Sequence, residues 1–381
     1  MWQINYSYDG VELGDLFSIS SGLAWGKERN SVRSISFSVS LRKLYEWCQT
    51  QDFDITRMFT PIKSTVKIVQ QTSPTVSGTV VGGWLSQTPA FSFGNSADAT
   101  IQFTFTTWLG LTAGAYIKPP YSYNDNFNDV AQYQIERIVE RTIIAGAGWP
   151  ISPGTSDVLA VVSDVLEAPK SLKDFLLERA DNTTGTGSFD VYDDPDGVIT
   201  LYEKYGVDIS SEVTFSYPDM GGKYDVKTIS FPEWSNFVSD VFLTGAGNGY
   251  ATTSGAEGAA IFSTATNDDT LANTGYWEIA TSESDISVQA VLDDKATSYV
   301  KNTDMAFVTP TITLDGDRFL LYDHDQGGDL WLGDSVFVDA TGWTDPLLPL
   351  VTPIKLRINS IDATINQQGH CDLSLGMVID D

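Results

Sequence analysis

Two histidines, His324 and His370, and two cysteines, Cys48 and Cys371, are the scarcest chemically active residues in this chain of 381. A Ser-His-Asp or Cys-His nucleophile system needs one of these imidazoles as its base. His370 stands beside Cys371 at the start of an alternating run, "CDLSLGMVI" (371–379), and neighbouring residues of a strand point to opposite faces. The spacing sets the two apart, so no dyad is expected. His324 sits in "YDHDQGGD" (322–329) among Asp323, Asp325 and Asp329, hard oxygen donors of the kind that ligate calcium or magnesium. Their spacing is not that of an EF-hand, so an acidic surface turn is expected there, and equally at "DDPDG" (193–197) and "NDDT" (267–270). "TGAGNGY" (244–250) has the glycines of a phosphate loop but no Gly-Lys-Ser/Thr ending and no convincing helix after it. Among 50 acidic residues, chance carboxylate pairs of the glycosidase type are inevitable. No catalytic, cofactor-binding or metal residue is assigned, and the chain is not expected to be an enzyme.

The elements that carry these residues are mostly strands. "RSISFSVSL" (33–41) places Ile35, Phe37, Val39 and Leu41 on one face and serines on the other, the pattern of a half-buried strand. "STVKIVQ" (64–70), "GTVVGGWLSQ" (78–87) and "ATIQFTFTTW" (99–108) repeat it between Pro, Gly, Ser and Asn. The period then changes. "FNDVAQYQIERIVERTIIA" (127–145) carries apolar residues at helical spacing, and "SLKDFLLERA" (171–180) forms a second helix with Ser171 and Asp174 as a capping box. "SFDVYDDPDGVITLYEKYG" (188–206) is expected to be a hairpin on the outer side. Residues 244–275 are rich in Gly, Ala, Thr and Asn and are expected as extended loops; 285–303 is expected as a helix with Ile286, Ala290, Val291 and Tyr299 near one face. "SVFVD" (335–339), "IKLRINSI" (354–361) and "CDLSLGMVI" close the chain as strands. Replacing Leu373 or Leu375 by Asp is expected to destroy folding or assembly, because an unpaired charge in a strand core is costly.

The fold class that follows is α+β, mainly β: two antiparallel β domains, 1–110 and 311–381, flank a smaller α/β insertion, 111–235, and a Gly/Thr/Asn-rich segment, 236–310. A faint symmetry joins the ends, since 64–105 and 335–377 each hold three strands in a similar rhythm. No run of 18 uncharged apolar residues exists, and "MWQINYSYDG" has neither the basic start nor the apolar core of a signal peptide. The two cysteines are expected as reduced or buried thiols.

Charge narrows the function. With 50 acidic and 22 basic residues the net charge is −28, which excludes a protein that grips nucleic-acid phosphates and disfavours anionic membranes. Asp accounts for 37 of the acids, a turn-residue bias that also suits a saline habitat or a surface that DNA passes without sticking.

The order of elements resembles the tail-tip hub, or minor tail, proteins of long-tailed viruses of prokaryotes, related to the central hub of contractile baseplates. The resemblance rests on "IERIVERTIIAGAG", on "SLKDFLLERADNTTGTGSFDVYDDPDGVITLYEKYG", on "SFPEWSNFVSDVFLTGAG", and on the closing "LWLGDSVFVDATGW … IKLRINSIDATINQQGHCDLSLGMV". In that close, the turn Gly333-Asp334, the strand Val336-Phe337-Val338, Arg357-Ile358 and Leu373 to Leu375 follow the hub pattern. The loose 244–275 departs from it, as does the end at Asp381, where many hubs carry a fibre or hydrolase. The resemblance implies a homotrimer in the virion tail tip, made in the host cytoplasm, in which 1–110 and 311–381 are tube-like antiparallel β-barrel domains that adapt a sixfold tube to threefold symmetry around the DNA exit channel. Its partners would be the distal tail ring, the tape measure and fibre or spike proteins, with DNA only in transit through an acidic lumen. It implies no cofactor and no membrane span. The alternative is a carbohydrate-binding or carbohydrate-cleaving receptor-recognition protein, for which 10 Trp and 16 Tyr supply stacking surfaces. A third class, an adaptor elsewhere in a tail or secretion needle, would assemble six copies per ring.

Overall fold

The computed structural model describes residues 1–73, 76–92, 99–117, 121–122, 149–156, 165–166, 169–180, 189–230, 238–245, 261–268, 271, 276–283, 289–301, 310–340 and 353–380. It forms two compact units, one from 1–178, 189–230 and 310–381, the other from 179–188 and 231–309. The expected helix 127–145 and the glycines of 246–250 lie outside the described residues.

The first unit begins with β1 (Trp2–Tyr8), β2 (Val11–Asp15), β3 (Ser20–Glu28) and β4 (Ser34–Ser40). Ile35, Phe37 and Val39 of β4 are each no more than 1% exposed, as the alternation requires. Leu41 does not extend that strand. It starts helix α1 (Leu41–Thr50), whose apolar stripe of Leu44 and Cys48 is spaced i, i+4 and docks on Met58, all three fully buried. Next come β5 (Ser64–Ser73), β6 (Val76–Leu85), β7 (Ala90–Ser92) and β8 (Thr100–Thr107). Phe37, Phe103 and Phe105 stack between β4 and β8, with ring centroids 5.4 to 6.0 Å apart.

Short strands follow: β9 (Tyr116–Ile117), β10 (Tyr121–Ser122), β11 (Ser152–Ser156), β12 (Val165–Leu166) and β13 (Lys170–Ser171). Helix α2 (Leu172–Ala180) is capped as expected: the Asp174 N–H bonds Ser171 Oγ at 3.1 Å, and the Ser171 hydroxyl returns to the Asp174 carboxylate at 2.6 Å. Strands β14 (Asp190–Asp193) and β15 (Val198–Tyr202) make the expected hairpin, its turn held by Asp194, which accepts from the N–H groups of Asp196 and Val198. The hairpin is not peripheral, however. Asp190, Val191, Tyr192, Ile199 and Leu201 are all buried.

The chain continues through β16 (Thr214–Ser216) and β17 (Thr228–Ser230) into the second unit. There β18 (Asp240–Thr244) lies between β19 (Phe262–Thr266), antiparallel, and β20 (Glu278–Ser282), parallel, and helix α3 (Gln289–Lys301) packs on one face. A strand thus occupies part of the stretch expected as loops. Its pairing with β18 supplies the order that its Gly- and Thr-rich surroundings do not advertise. The buried stripe of α3 is Leu292, Ala296 and Val300, against Val241 and Leu243; Tyr299 is only partly buried, and Ile286 lies outside the described residues. This i, i+4, i+8 row meets the two inward residues of β18.

Returning to the first unit, β21 (Thr311–Asp315), β22 (Ser335–Asp339), β23 (Ile354–Ile365) and β24 (Cys371–Ile379) complete a 14-stranded sheet. Cys371, Leu373, Leu375 and Met377 are buried in alternation. The sheet runs β17-β21-β24-β23-β3-β4-β8-β6-β5-β1-β2. Its class is mainly β and antiparallel, as expected. The ladder is an open path, and among the described residues no pairing closes either end into a barrel.

β22 pairs with β23 off this path, and with it the two halves of the sheet repeat one strand order. The N-terminal half reads β3-β4-β8-β6-β5 and the C-terminal half β17-β21-β24-β23-β22. In each, the second strand in chain order leads into a helical connection and the last strand returns to lie beside it. The connection is α1 and a 3-10 turn (Ile55–Phe59) in one, and the 3-10 turns Gly316–Arg318 and His324–Gln326 in the other. The halves meet where β3 pairs with β23, from Glu28↔Ser360 to Leu23↔Ile365. Among the described residues no helix is long and apolar enough to cross a membrane.

Candidate functional site

Beside the β3–β23 seam the sequence places charge where the strands face inward. Asp190 opens β14 at 4% exposure, and its carboxylate receives four donors. Arg29, just past β3, brings Nε and Nη2 to the single oxygen Oδ1, each at 3.0 Å. On Oδ2 it accepts Arg357 Nη2 at 2.6 Å and the Tyr205 N–H at 2.8 Å. Arg357, on β23, also donates to the Gly333 carbonyl at 3.0 Å and to the Tyr205 carbonyl. One carboxylate of the hairpin thus ties the N-terminal half to the C-terminal half.

Lys27 lies one strand position away and is 3% exposed. Its ammonium donates to the Asp193 carbonyl at 2.8 Å and sits 4.4 Å from the Tyr192 ring centroid and 5.2 Å from that of Trp331. Such desolvated cation–π contacts are worth about 2 kcal/mol. Burial pulls the Lys27 ammonium below the usual lysine range, against Asp193, Asp194 and Asp323, which favour the cation. Burial likewise raises the Tyr192 and Tyr205 phenols, whose rings stack at 4.2 Å, and the Asp193 carboxyl.

The third layer is the turn before β22. Tyr205 donates its hydroxyl proton to Asp323 at 2.7 Å and accepts the Trp331 indole N–H at 2.7 Å. Gly333 and Gly206 have φ of +85° and +92°, and a Cβ on Gly206 would fall 2.2 Å from the Gly333 carbonyl carbon. Only glycines let these two backbones cross. Asp334, with no exposed surface, accepts from the N–H groups of Val207 and Trp331 and faces His324 Nε2 at 2.8 Å.

The remaining candidates stay apart. His370 is exposed and bonds Asp317 through Nδ1 at 2.9 Å, whereas Cys371 is buried at 2%. Burial lifts the Cys371 thiol to about 12 and the Cys48 thiol to about 11, and both are free. Asp323, Asp325 and Asp329 do not converge: Asp323 caps the turn, and Asp329 accepts from Leu320 N–H and pairs with Lys223. Among the described residues no group of three His, Cys, Asp or Glu is placed to hold a metal ion. The geometry describes a polar seam. Sequence patterning missed Lys27, Arg29, Asp190 and Tyr205, although Lys27 in "LAWGKE" and Asp190 in "SFDVY" are charges inside apolar strand runs.

The fold, with its two halves of one strand order in a shared sheet, is similar to that of phage tail proteins of known structure. The structure is similar to the tail protein from Neisseria meningitidis MC58, with TM-score 0.64 at 13% identity over 99% of this chain and 96% of that one. It is similar to the 43 kDa tail protein of prophage MuSo2 from Shewanella oneidensis, with TM-score 0.59 at 14% identity over 100% and 98%. Prophage tail protein gp18 from Listeria monocytogenes EGD-e gives TM-score 0.57 at 12% identity over 98% and 94%. No protein-family model and no curated protein matches the sequence. At these identities the likeness is one of fold.

Proposed function

We propose that the chain is a structural component of a phage-type tail, a trimeric hub at the tail tip that adapts a sixfold tube to threefold symmetry and surrounds the DNA exit channel. The observation that carries this is the repeated strand order of the two halves, together with their cis junction. β3 of the N-terminal half is joined to β23, whereas β17, the counterpart of β3, pairs with β21 on one side and has no second partner among the described residues. An open edge of this kind invites pairing with another chain. Three chains of two halves then present six similar modules in a ring. A net charge of −28 suits a lumen that repels DNA phosphates. The domain division 1–110, 111–235, 236–310 and 311–381 belongs to the same proposal, as does the absence of enzymatic activity.

Light scattering after size exclusion tests it. The expected species is three times the chain mass, and the double change Thr228→Lys, Ser230→Lys, which adds cations to the open edge, is expected to yield folded monomers. A wild-type monomer at every concentration, or a hexamer, counts against the hub.

One feature favours the second reading, a glycan-recognising tail component. In the second unit Tyr276 and Trp277 are 65% and 57% exposed beside Glu278, while the Trp277 backbone is fixed to Ser239 and Asp240 by four hydrogen bonds. A rigid exposed aromatic next to carboxylates suits stacking on a sugar ring. Glycan-array binding that is lost in Trp277→Ala would move the assignment there.

A further inference from the structure

We propose that His324 and Asp334 form a pH-sensitive latch that holds the 323–334 turn against the segment after Tyr205, closed while the His324 ring is doubly protonated and released once that proton is lost. This goes beyond the assembly proposed above and does not depend on it. Nε2 of His324 lies 2.8 Å from Asp334 Oδ2, and Nδ1 lies 3.0 Å from the Gly328 carbonyl oxygen. A carbonyl has no proton to give, and the Asp334 carboxylate already accepts from Val207 N–H at 3.2 Å and Trp331 N–H at 2.7 Å. Both ring nitrogens must therefore donate, which only the imidazolium does. His324 is the counter-charge of a carboxylate with no exposed surface, while its own side chain is 29% exposed and open to proton exchange.

The surrounding charges agree with this state. Asp323 and Asp325 flank the ring on its own turn; Asp323 is held by the Tyr205 hydroxyl from beyond β15. Asp329 pairs with Lys223 of the β16–β17 connection. Lys27 of β3 is turned to the Asp193 carbonyl and the Trp331 ring, and Arg357 of β23 is engaged by Asp190 and the Gly333 carbonyl, so neither cation points its charge at the imidazole. The hydrogen bond to Asp334 raises the His324 pKa above its ordinary 6.5, with burial opposing and Asp323 assisting. A group whose folded value is raised stabilises the closed form below the unfolded value, and that stabilisation is lost as pH rises through the folded value. Loss of the proton leaves Asp334 buried without its cation. What it then loosens is the acceptor of Val207 and Trp331, the residues that carry the C-terminal turn onto the seam between the halves.

The test uses the full chain. Its two histidines give two imidazole signals in an isotope-labelled sample, assigned with His370→Gln, and both are titrated by NMR. Backbone hydrogen exchange is followed over the same range, corrected for intrinsic rates. The expected result is a His324 midpoint above 6.5 with both ring nitrogens protonated below it. The opening constant of the 205–209 and 328–336 amides should rise about tenfold per pH unit from 6.5 to that midpoint, then level off. Amides of β4 and β8 should stay flat, and His324→Gln should flatten the latch amides too. A midpoint at or below 6.5, or a pH profile shared by wild type and His324→Gln, overturns the latch. Should the variant fail to fold, the wild-type midpoint and the contrast with β4 and β8 still decide.

Discussion

The two helical connections of the repeated strand order do the same topological job with opposite chemistry. Between β4 and β5, Leu44, Cys48 and Met58 close the seam with apolar contacts, Cys48 Sγ lying 3.3 Å from Met58 Sδ. The buried polar groups there are neutral: the Tyr6 hydroxyl donates to Ser64 at 2.8 Å, and Ser64 donates to the Met58 carbonyl at 3.0 Å. Between β21 and β22 the chain instead buries Asp334 and brings in His324, Asp323 and Trp331, next to Lys27, Arg357 and Asp190. Apolar closure is insensitive to pH and tolerates independent substitutions. A buried charge network closes only when every member is present, because one missing partner strands a desolvated ion. The same scaffold therefore carries one unconditional seam and one conditional seam, and the conditional one lies where the halves and the hairpin meet.

The largest expected effect lies where the comparison does not apply, in the sheet core common to both. Leu375 is fully buried and stands between Ile312 and Ile361. Leu375→Asp places an unpaired charge there and should leave no cooperative unfolding transition in circular dichroism. A soluble, cooperatively folding variant would mean that the alternation of β24 has been assigned to the wrong face.

Next is the charged seam. Arg357→Met keeps the bulk of the side chain but leaves Asp190 with Arg29 as its sole side-chain cation, and should cost about 3–5 kcal/mol in denaturant midpoints. The apolar seam sets the contrast. Leu44→Ala should cost about 3 kcal/mol, the transfer and cavity terms together, with a loss that is constant between pH 6 and 9. Leu44→Ala losses that vary with pH over that range would erase the distinction between the seams.

How far these seams were legible follows from what each is made of. Alternating strands such as 34–40 and 371–379 were visible because one face of each is apolar and the other is not, so period two survives in the letters. The three-strand rhythm shared by 64–105 and 335–377 was visible for the same reason, although the full strand order needed the pairing of β4 with β8 and of β21 with β24. α1 was hidden because Leu41 continues the alternation of the strand before it, and its stripe of Leu44 and Cys48 is short. The charged seam was opaque for another reason. His324, Asp323 and Asp325 look like any acidic turn until Asp334 and Tyr205 are brought to them across the fold. Arg357 entered only through the hub resemblance. A buried ion announces itself in sequence as a charge in an apolar run, and its partner lies up to 167 positions away.

The finest distinction compares two aspartates in equivalent caps. Asp54 caps the 3-10 turn of the N-terminal half by accepting from the N–H and hydroxyl of Thr56, and its exposed carboxyl is held below the usual range by those bonds. Asp323 caps the corresponding turn of the C-terminal half through Asp325 N–H but also takes the Tyr205 hydroxyl proton. Replacing each by Ala removes a cap from both turns, yet only Asp323→Ala strands a buried phenol. Asp323→Ala should therefore cost about 1–3 kcal/mol, and Asp54→Ala should cost less. The Asp54 contribution has its own signature. A depressed carboxyl stabilises the fold above its unfolded pKa, and that contribution fades as pH falls through the folded value. The difference between wild type and Asp54→Ala should accordingly be full at neutral pH and vanish in acid. If Asp54→Ala proved as damaging as Asp323→Ala, the link from turn to Tyr205 would add nothing to an ordinary cap, and the conditional seam would shrink to Asp190 and its two arginines.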